Sequence, residues 1–262
     1  MNDVTRVFEP NHTATSSAMR IVVAVQAVLA LVIWFVAPFQ VLPTPPEVFA
    51  ALGKLWMEQG LGQELITSFL LNLEALAWTV ALSLGLCYCT VMPFFRPLAG
   101  AVAKGRFLGL IGLTFVFTLL VGGGRNLKVS LLVFGMTVFF VTSMAAEIEA
   151  IPKSKFDHAR TLRMSEWRVV WEVVVLGTFD EAIEVMRQNA AIGWMMLTMV
   201  EGISRAEGGV GAMLLNQNKH FHLAEVFAIQ LVILSVGLGQ DYGIGLFKRL
   251  VCPYAELTLE RK

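Results

Sequence analysis

The stretch DHARTLRMSEWRVVWEVVV, residues 157–175, lies between two long apolar segments of the chain. It contains three arginines and two tryptophans, whereas the whole chain is 56% hydrophobic and only 15% charged. Soluble domains carry about 25% charged residues, so this composition favours an integral membrane protein. A charged, patterned stretch in the middle of such a chain is expected to lie outside the lipid.

Six apolar stretches are candidates for membrane spans, because a helix needs about 20 residues to cross a bilayer. They cover residues 20–39, 72–93, 107–122, 127–146, 182–201 and 223–245, although the third is short and polar residues interrupt the start of the fifth. The sequence therefore predicts an all-α integral membrane protein with about six transmembrane helices. We expect one membrane domain, residues 20–255, between an N-terminal tail of residues 1–19 and a C-terminal tail of residues 256–262.

The distribution of lysine and arginine sets the predicted orientation of the chain. With the N-terminus in the cytoplasm, the inner side holds 15 of the 20 basic residues and the outer side holds 5, where a basic residue near the end of a span is counted with the nearer side. Both tails are therefore predicted to be cytoplasmic, and residues 157–175 fall in a cytoplasmic loop between the fourth and fifth spans. The net charge of zero gives no electrostatic signal for nucleic-acid binding.

Apolar spacing predicts two short helices within this cytoplasmic loop, at about 155–164 and 166–176, with Ser165 as a candidate N-cap of the second. Residues 45–60 form a further predicted helix outside the spans, and it begins with prolines, which suit a first helical turn. This helix either lies along the outer surface or packs on its own neighbours.

Trp167 and Trp171 lie one helical turn apart, so they share a face of the second loop helix. Tryptophan and arginine are enriched where proteins dock. Tryptophan also collects at the boundary between lipid and water. Both explanations of this face remain open from the residues alone.

Four segments together resemble the permease subunits of bacterial ABC importers. They are LPTPPEVFAAL (42–52), HARTLRMSEWRVVWEVVVLG (158–177), MVEGISRAEGGVGAML (199–214) and VFAIQLVILSVGLGQDYGIGLFKRL (226–250). The resemblance covers about residues 40–255. Within the permeases, the sequence most resembles the branch that imports nitrate, taurine, alkanesulfonates and related compounds.

The resemblance implies that the cytoplasmic loop is a coupling helix seated in a groove of a separate cytosolic ATPase. The residues implied to touch that ATPase are Ala159, Leu162, Arg163, Met164 and Trp167. An extracytoplasmic substrate-binding protein, a homodimer of the permease and a bacterial inner-membrane location are also implied. The chain lacks a GxxxxGK[ST] phosphate loop, so ATP is expected on the partner and no cofactor on the permease.

Two positions depart from the family pattern. Arg163 stands at the family glycine, which permits a tight turn between the two short helices, and Gly177 stands at a family proline. Arginine does not easily adopt a positive φ, so three explanations of this substitution are open. The turn is built differently, Arg163 reaches an altered surface on the partner ATPase, or the coupling to the ATPase is weakened. The alternative function is therefore an uncoupled or scaffold membrane protein derived from such a permease.

Polar residues in the predicted fifth span mark a candidate translocation pathway, since polar groups within lipid are costly. Helical spacing places Gln188, Ala191, Met195 and Thr198 on one face of this span. Hydrogen bonding between helices is the competing explanation. Glu201, at the outer end, is expected to shape the following loop, and Asn72 and Glu74 are expected to be solvated.

Other chemistry has weak support in the sequence. His220 and His222 flank Phe221, but two ligands are too few for a zinc site. Cys87 and Cys89 lie in an apolar run and are expected to pack there. Because the HExxH and GxSxG motifs are absent, we expect a transport subunit and not an enzyme.

Overall fold

The computed structural model of the protein describes residues 15–36, 42–204 and 207–253. Helices and the turns between them make up this part of the chain. The α-helices are α1 (Ser16–Val36), α2 (Pro45–Glu58), α3 (Leu61–Cys89), α4 (Arg96–Lys104), α5 (Leu110–Val121), α6 (Arg125–Glu149), α7 (Lys153–Thr161), α8 (Glu166–Val169), α9 (Phe179–Ile203), α10 (Val210–Lys219) and α11 (Leu223–Val251). Most of the N-terminal tail and the whole predicted C-terminal tail lie outside the described residues.

Four helices are long and apolar enough to cross a membrane, namely α1, α3, α6 and α11. They overlap the predicted first, second, fourth and sixth spans, although α3 ends at Cys89 and residues 37–39 of the first span lie outside the described residues. The helix that holds the predicted second span begins well before residue 72, because α3 starts at Leu61. Polar residues of its first three turns, such as Glu64 and Ser68, hid this beginning from a search for apolar runs.

The third and fifth predicted spans are helices of a different kind. The third corresponds to α5, a helix of 12 residues that meets the segment Pro93–Phe107 at a bend of 118°. The fifth corresponds to α9, whose first turns carry several charged side chains. Its composition therefore falls outside that of the four apolar helices, and a total of six spans stays a prediction.

The core of the bundle lies between α3, α6 and α9, which pack against one another. Leu131, Met136 and Leu197 are fully buried there. α2 packs on α11 through its buried face, which includes Val48 and Leu55. This helix therefore packs on its neighbours in the chain, which was one of the two expectations for residues 45–60.

α1 differs from the other long helices because its apolar side chains are almost all exposed. Val25, Leu29 and Ile33 show this on successive turns. A helix that is apolar all round and of which the described residues cover little suits a lipid environment. The indole Nε1 of Trp34 donates to the carbonyl of Pro43 at 3.0 Å, which ties the end of α1 to the start of the α2 segment.

The bundle has two chemically distinct ends. At one end, the first turns of α3 and α6 and the last turn of α9 meet a glycine-rich loop at residues 207–211. α6 contains 25 residues. It is therefore about 37 Å long. The loop that joins α6 to α9 and contains α7 and α8 consequently lies at the opposite end.

Candidate functional site

The connection from α7 to α8 is a tight turn closed by two backbone hydrogen bonds. The N–H of Arg163 donates to the carbonyl of Arg160 at 2.9 Å, and the N–H of Met164 donates to the carbonyl of Ala159 at 3.4 Å. This pair of bonds is the Schellman arrangement, which ends a helix with one residue in the left-handed conformation. Residue 163 occupies that position with φ of 57°.

Arg163 therefore adopts the conformation for which glycine is favoured. The expectation that arginine would avoid a positive φ here is wrong. The first of the three explanations, a turn built differently from that of the family, is therefore wrong as well. The two closing hydrogen bonds and the following helix hold the backbone in place. The two short helices predicted for this loop are confirmed as α7 and α8, although Ser165 makes no side-chain capping bond.

The turn presents a set of side chains to the surface. Leu162 is 59% exposed and Trp167 is 71% exposed, and the Arg163 side chain lies between them in sequence and is also exposed. Met164 is half-buried, whereas Ala159 is buried beneath the turn. Three of the residues implied to touch an ATPase, Leu162, Arg163 and Trp167, are therefore exposed, whereas Ala159 is buried under the turn.

An ion pair joins the two arms of this helix–turn–helix. The Arg160 guanidinium donates to the Glu166 carboxylate at 3.1 Å through Nε and at 3.3 Å through Nη2. This hydrogen bond, followed by the attraction of the positive charge, lowers the pKa of Glu166. Because both groups are exposed, the contact fixes geometry more than it stabilises the fold.

α8 continues without a break into a π-helical segment, Val170–Val175, which leads through Leu176–Thr178 into α9. π-helical turns are rare and frequently lie at functional positions. Gly177 lies in this connection, and a Cβ there would be 3.4 Å from the carbonyl oxygen of Glu172. The surface of the helix–turn–helix is thus joined mechanically to the first turn of α9.

The predicted pathway residues lie on an outward face of α9. Gln188, Ala191 and Met195 are exposed, and Thr198 is partly exposed with its hydroxyl bonded to the Met195 carbonyl at 2.9 Å. The structure thus brings these four residues onto one side of the helix.

A buried polar contact joins α3, α9 and α11, and sequence reasoning missed it. The Gln240 amide oxygen accepts from the Trp194 indole at 2.7 Å and from the Asn72 amide at 3.2 Å. Asn72 is fully buried, so the expectation that it is solvated is wrong. A Cβ at Gly193 would lie 2.6 Å from Asn72 Oδ1, which shows how closely α3 and α9 approach here.

Carboxylates and a lysine hold the glycine-rich loop at the other end of the bundle. The Glu201 carboxylate accepts from the Ser68 hydroxyl at 2.7 Å and from the Gly211 N–H at 2.8 Å. Glu64 accepts from the Gly209 N–H. Lys128 donates to the Gly208 carbonyl at 2.9 Å. The expectation that Glu201 shapes the following loop is confirmed.

Two glycines make this loop possible. Gly209 has a φ of 106° and lies so close to Glu201 that a Cβ would be 2.3 Å from the carboxylate. A Cβ at Gly211 would be 2.4 Å from the Thr198 carbonyl oxygen. The sequence GGVG next to a glutamate was the available signal, because close packing of backbone on backbone requires glycine.

Ion pairs connect α9 to α11 at the end that carries the helix–turn–helix. Arg187 contacts Glu184 at 2.7 Å and Asp241 at 3.5 Å, and Lys248 contacts Glu184 at 3.0 Å. Arg187, which precedes Gln188 of the predicted pathway face, is therefore engaged with two carboxylates. These contacts neutralise the charges that would be costly near lipid.

The remaining candidate residues have structural partners. His220 Nδ1 lies 2.8 Å from the Asn216 carbonyl oxygen, and His222 Nδ1 lies 2.8 Å from Gln217 Oε1. Within the described ranges, the structure shows no group of three His, Cys, Asp or Glu side chains arranged to hold a metal. Cys87 is buried in the core, which confirms that it packs there.

A scan against protein-family models gives no match to this chain, and a search of curated proteins gives none either.

Proposed function

We propose that the chain is the transmembrane permease subunit of an ATP-driven ABC importer. The observation that carries this proposal is the exposed helix–turn–helix of α7 and α8 at one end of a helical bundle. It presents the exposed side chains of Leu162, Arg163 and Trp167 around one tight turn. An apolar side chain, a guanidinium and an indole together suit a protein-docking surface.

The geometry supports a role for this surface in coupling. The turn is closed by backbone hydrogen bonds, the Arg160–Glu166 pair joins its two arms, and a continuous helical segment leads from α8 to α9. A partner that moved the turn would therefore act on α9 through connected helical structure. The partner would be a cytosolic ATPase that binds and hydrolyses ATP on its own chain, and the permease would not itself be an enzyme.

Retention of the turn favours a coupled permease over the alternative, an uncoupled or scaffold protein derived from one. Arg163 holds the left-handed conformation, so the substitution leaves the backbone of the turn intact. What it changes is the surface, by placing a guanidinium where the resembling permeases present only backbone. We infer that the partner surface differs accordingly.

α9 supplies the translocation pathway in this proposal. Its outward face, with Gln188, Ala191, Met195 and Thr198, is left uncovered by the rest of the described chain. A second copy of the chain would place two such faces opposite each other and enclose a path between them. The assembly is thus a homodimer of the permease with two ATPases and an extracytoplasmic substrate-binding protein.

The assembly lies in a bacterial inner membrane in this proposal, with six spans, cytoplasmic termini and the helix–turn–helix between the fourth and fifth spans. The four long apolar helices support a membrane location. The resembling branch imports small solutes such as nitrate, taurine or an alkanesulfonate, and the solute carried here belongs to the same size range.

Gentle extraction of the tagged chain from its native membrane, followed by mass identification of the chains that accompany it, tests the proposal. We expect an ATPase with a phosphate loop and an extracytoplasmic binding protein in stoichiometric amounts. The matched control is a Trp167→Ala variant, which should lose the ATPase and keep the binding protein. Recovery of the chain alone, or with unrelated proteins, would favour the scaffold alternative.

A further inference from the structure

A cavity of about 410 Å³ opens between α9, α10 and α11, beside the pathway face. Thr198 belongs both to this cavity and to the predicted pathway, so the two adjoin at this residue. The volume lies within the range of about 300–1,000 Å³ that small-molecule sites occupy. The cavity is therefore large enough for a small solute at the end of the bundle that carries the glycine-rich loop.

The described residues that line the cavity carry no charge. Its polar groups are the Thr198 hydroxyl and the side-chain amides of Asn218 and Gln230, and apolar side chains such as Leu214 and Val226 form most of the wall. Such a lining offers a few hydrogen bonds in an apolar surround. It suits a solute that has polar groups and no net charge.

The N-terminus of α10 lies at this cavity, because Gly211 belongs to its lining. Free N–H groups at a helix N-terminus would ordinarily attract an anion. Here the N–H of Gly211 donates to Glu201, that of Val210 donates to Ser68, and that of Gly209 donates to Glu64. The positive end of the helix is thus already occupied by the protein's own carboxylates and hydroxyl.

Two cations of the described residues bear on the charge at this cavity. Lys128 is buried and donates to the Gly208 carbonyl, and Lys219 is exposed in the last turn of α10, at the opposite end of that helix from Gly211. An anionic solute would therefore meet the Glu64 and Glu201 carboxylates at the α10 N-terminus, where Lys128 offsets one of the two negative charges. Repulsion between like charges would keep it out of the cavity.

We propose that this cavity is a solute site selective for uncharged, partly apolar molecules and that it excludes anions. The proposal rests on the proposed function, because it names the class of solute that the permease would carry. It separates this chain from the anion and sulfonate carriers it resembles. The selectivity arises from the use of Glu64 and Glu201 as ligands of the α10 N-terminus.

Cysteine reactivity tests the proposal without knowledge of the natural solute. Gln230→Cys and Asn218→Cys place a thiol in the cavity wall, and Asn216→Cys is the matched control on the exposed opposite side of α10. Each variant of the full chain, in lipid nanodiscs, is treated with neutral methyl methanethiosulfonate or with its anionic ethylsulfonate analogue. Peptide mass spectrometry reports the rate at the introduced cysteine and separates it from the native cysteines.

We expect the anionic-to-neutral rate ratio at both cavity positions to be at least about tenfold below that at Asn216→Cys. An equal or higher ratio would overturn the proposal. In a Glu64→Gln background the ratio at Gln230→Cys should rise at least about threefold, because one repelling charge is removed. An unchanged ratio would contradict the assignment of exclusion to these carboxylates.

These rates require neither an ATPase nor transport, so the outcome is separable from that of the proposed function. A chain that purifies without an ATPase and still excludes the anionic reagent would retain the solute site and lose the importer assignment. A chain that purifies with its ATPase and admits the anionic reagent would retain the importer assignment and lose the proposed selectivity of the solute site.

Discussion

The carboxylate of Glu201, buried in the last turn of α9, accepts a hydrogen bond from the Gly211 N–H at 2.8 Å and another from the Ser68 hydroxyl at 2.7 Å. One side chain therefore joins α3, α9 and α10. This contact fixes the glycine-rich loop over the end of the bundle and places the first turn of α10 beside the cavity.

Removal of the Glu201 carboxylate should destabilise the fold. In Glu201→Ala, the Ser68 hydroxyl and the Gly211 N–H lose their acceptor in a buried site, at a cost of about 3 kcal/mol. We expect a lower thermal midpoint in detergent, measured by loss of monodisperse protein after heating. Glu58→Ala, which removes an exposed glutamate from α2, is the control and should leave the midpoint unchanged.

A methyl group at Gly211 should separate α10 from α9. In Gly211→Ala the new Cβ would lie 2.4 Å from the Thr198 carbonyl oxygen, so backbone must move, at a cost of about 1–3 kcal/mol. Gly53→Ala is the matched change in open space within α2, where we expect no loss and a gain of up to about 1 kcal/mol. Equal thermal midpoints for the two variants would be inconsistent with the close approach of α9 and α10.

The buried acceptor at Gln240 should matter far more than the exposed amide at Gln230 on the same helix. Gln240→Leu leaves the Trp194 indole N–H and the Asn72 amide without their shared partner, which costs about 2–3 kcal/mol. Gln230→Leu changes an exposed side chain and should be neutral. The thermal midpoints of the two variants measure the difference, and a comparable loss in both would show that the buried contact contributes little.

Arg163→Gly should order the turn and weaken the partner contact. Glycine adopts the left-handed conformation without the cost of about 1–2 kcal/mol that a side chain carries. We expect slower hydrogen exchange at the Met164 amide, which bonds to Ala159, together with lower stimulation of ATP hydrolysis by solute. Arg163→Ala removes the same guanidinium and keeps the strain, so it should lower the stimulation without slowing exchange. Higher ATP hydrolysis in the glycine variant would count against a role for Arg163 at the partner surface.

The sequence identified the features that follow from local pattern. Apolar runs located four long helices, and apolar residues at helical spacing located α7 and α8 on either side of Ser165. The α7–α8 turn shows where local pattern fails. Propensity alone excludes a left-handed arginine, but two closing hydrogen bonds and the helix that follows outweigh the preference of residue 163.

Contacts between distant residues could not be predicted in this way. Asn72 and Gln240 are separated by 168 positions, and only the packing of α3 on α9 and α11 brings them together. The beginning of α3 could not be recognised for the same reason, since the polar Glu64 and Ser68 are bound by the backbone of the glycine-rich loop. A polar residue in an apolar chain thus indicates either solvent or a buried partner, and the sequence does not distinguish them.

Photo-crosslinking from the helix–turn–helix in intact cells tests the importer assignment most directly. A benzophenone amino acid replaces Trp167 in one variant, and in the control it replaces Phe49, an exposed residue of α2 near the other end of the bundle. We predict that the Trp167 position alone forms an adduct with a chain that mass analysis identifies as a phosphate-loop ATPase, and that the yield falls in an Arg163→Ala background. Adducts with lipid only, or the same adducts from both positions, would contradict the assignment of α7 and α8 as the coupling surface.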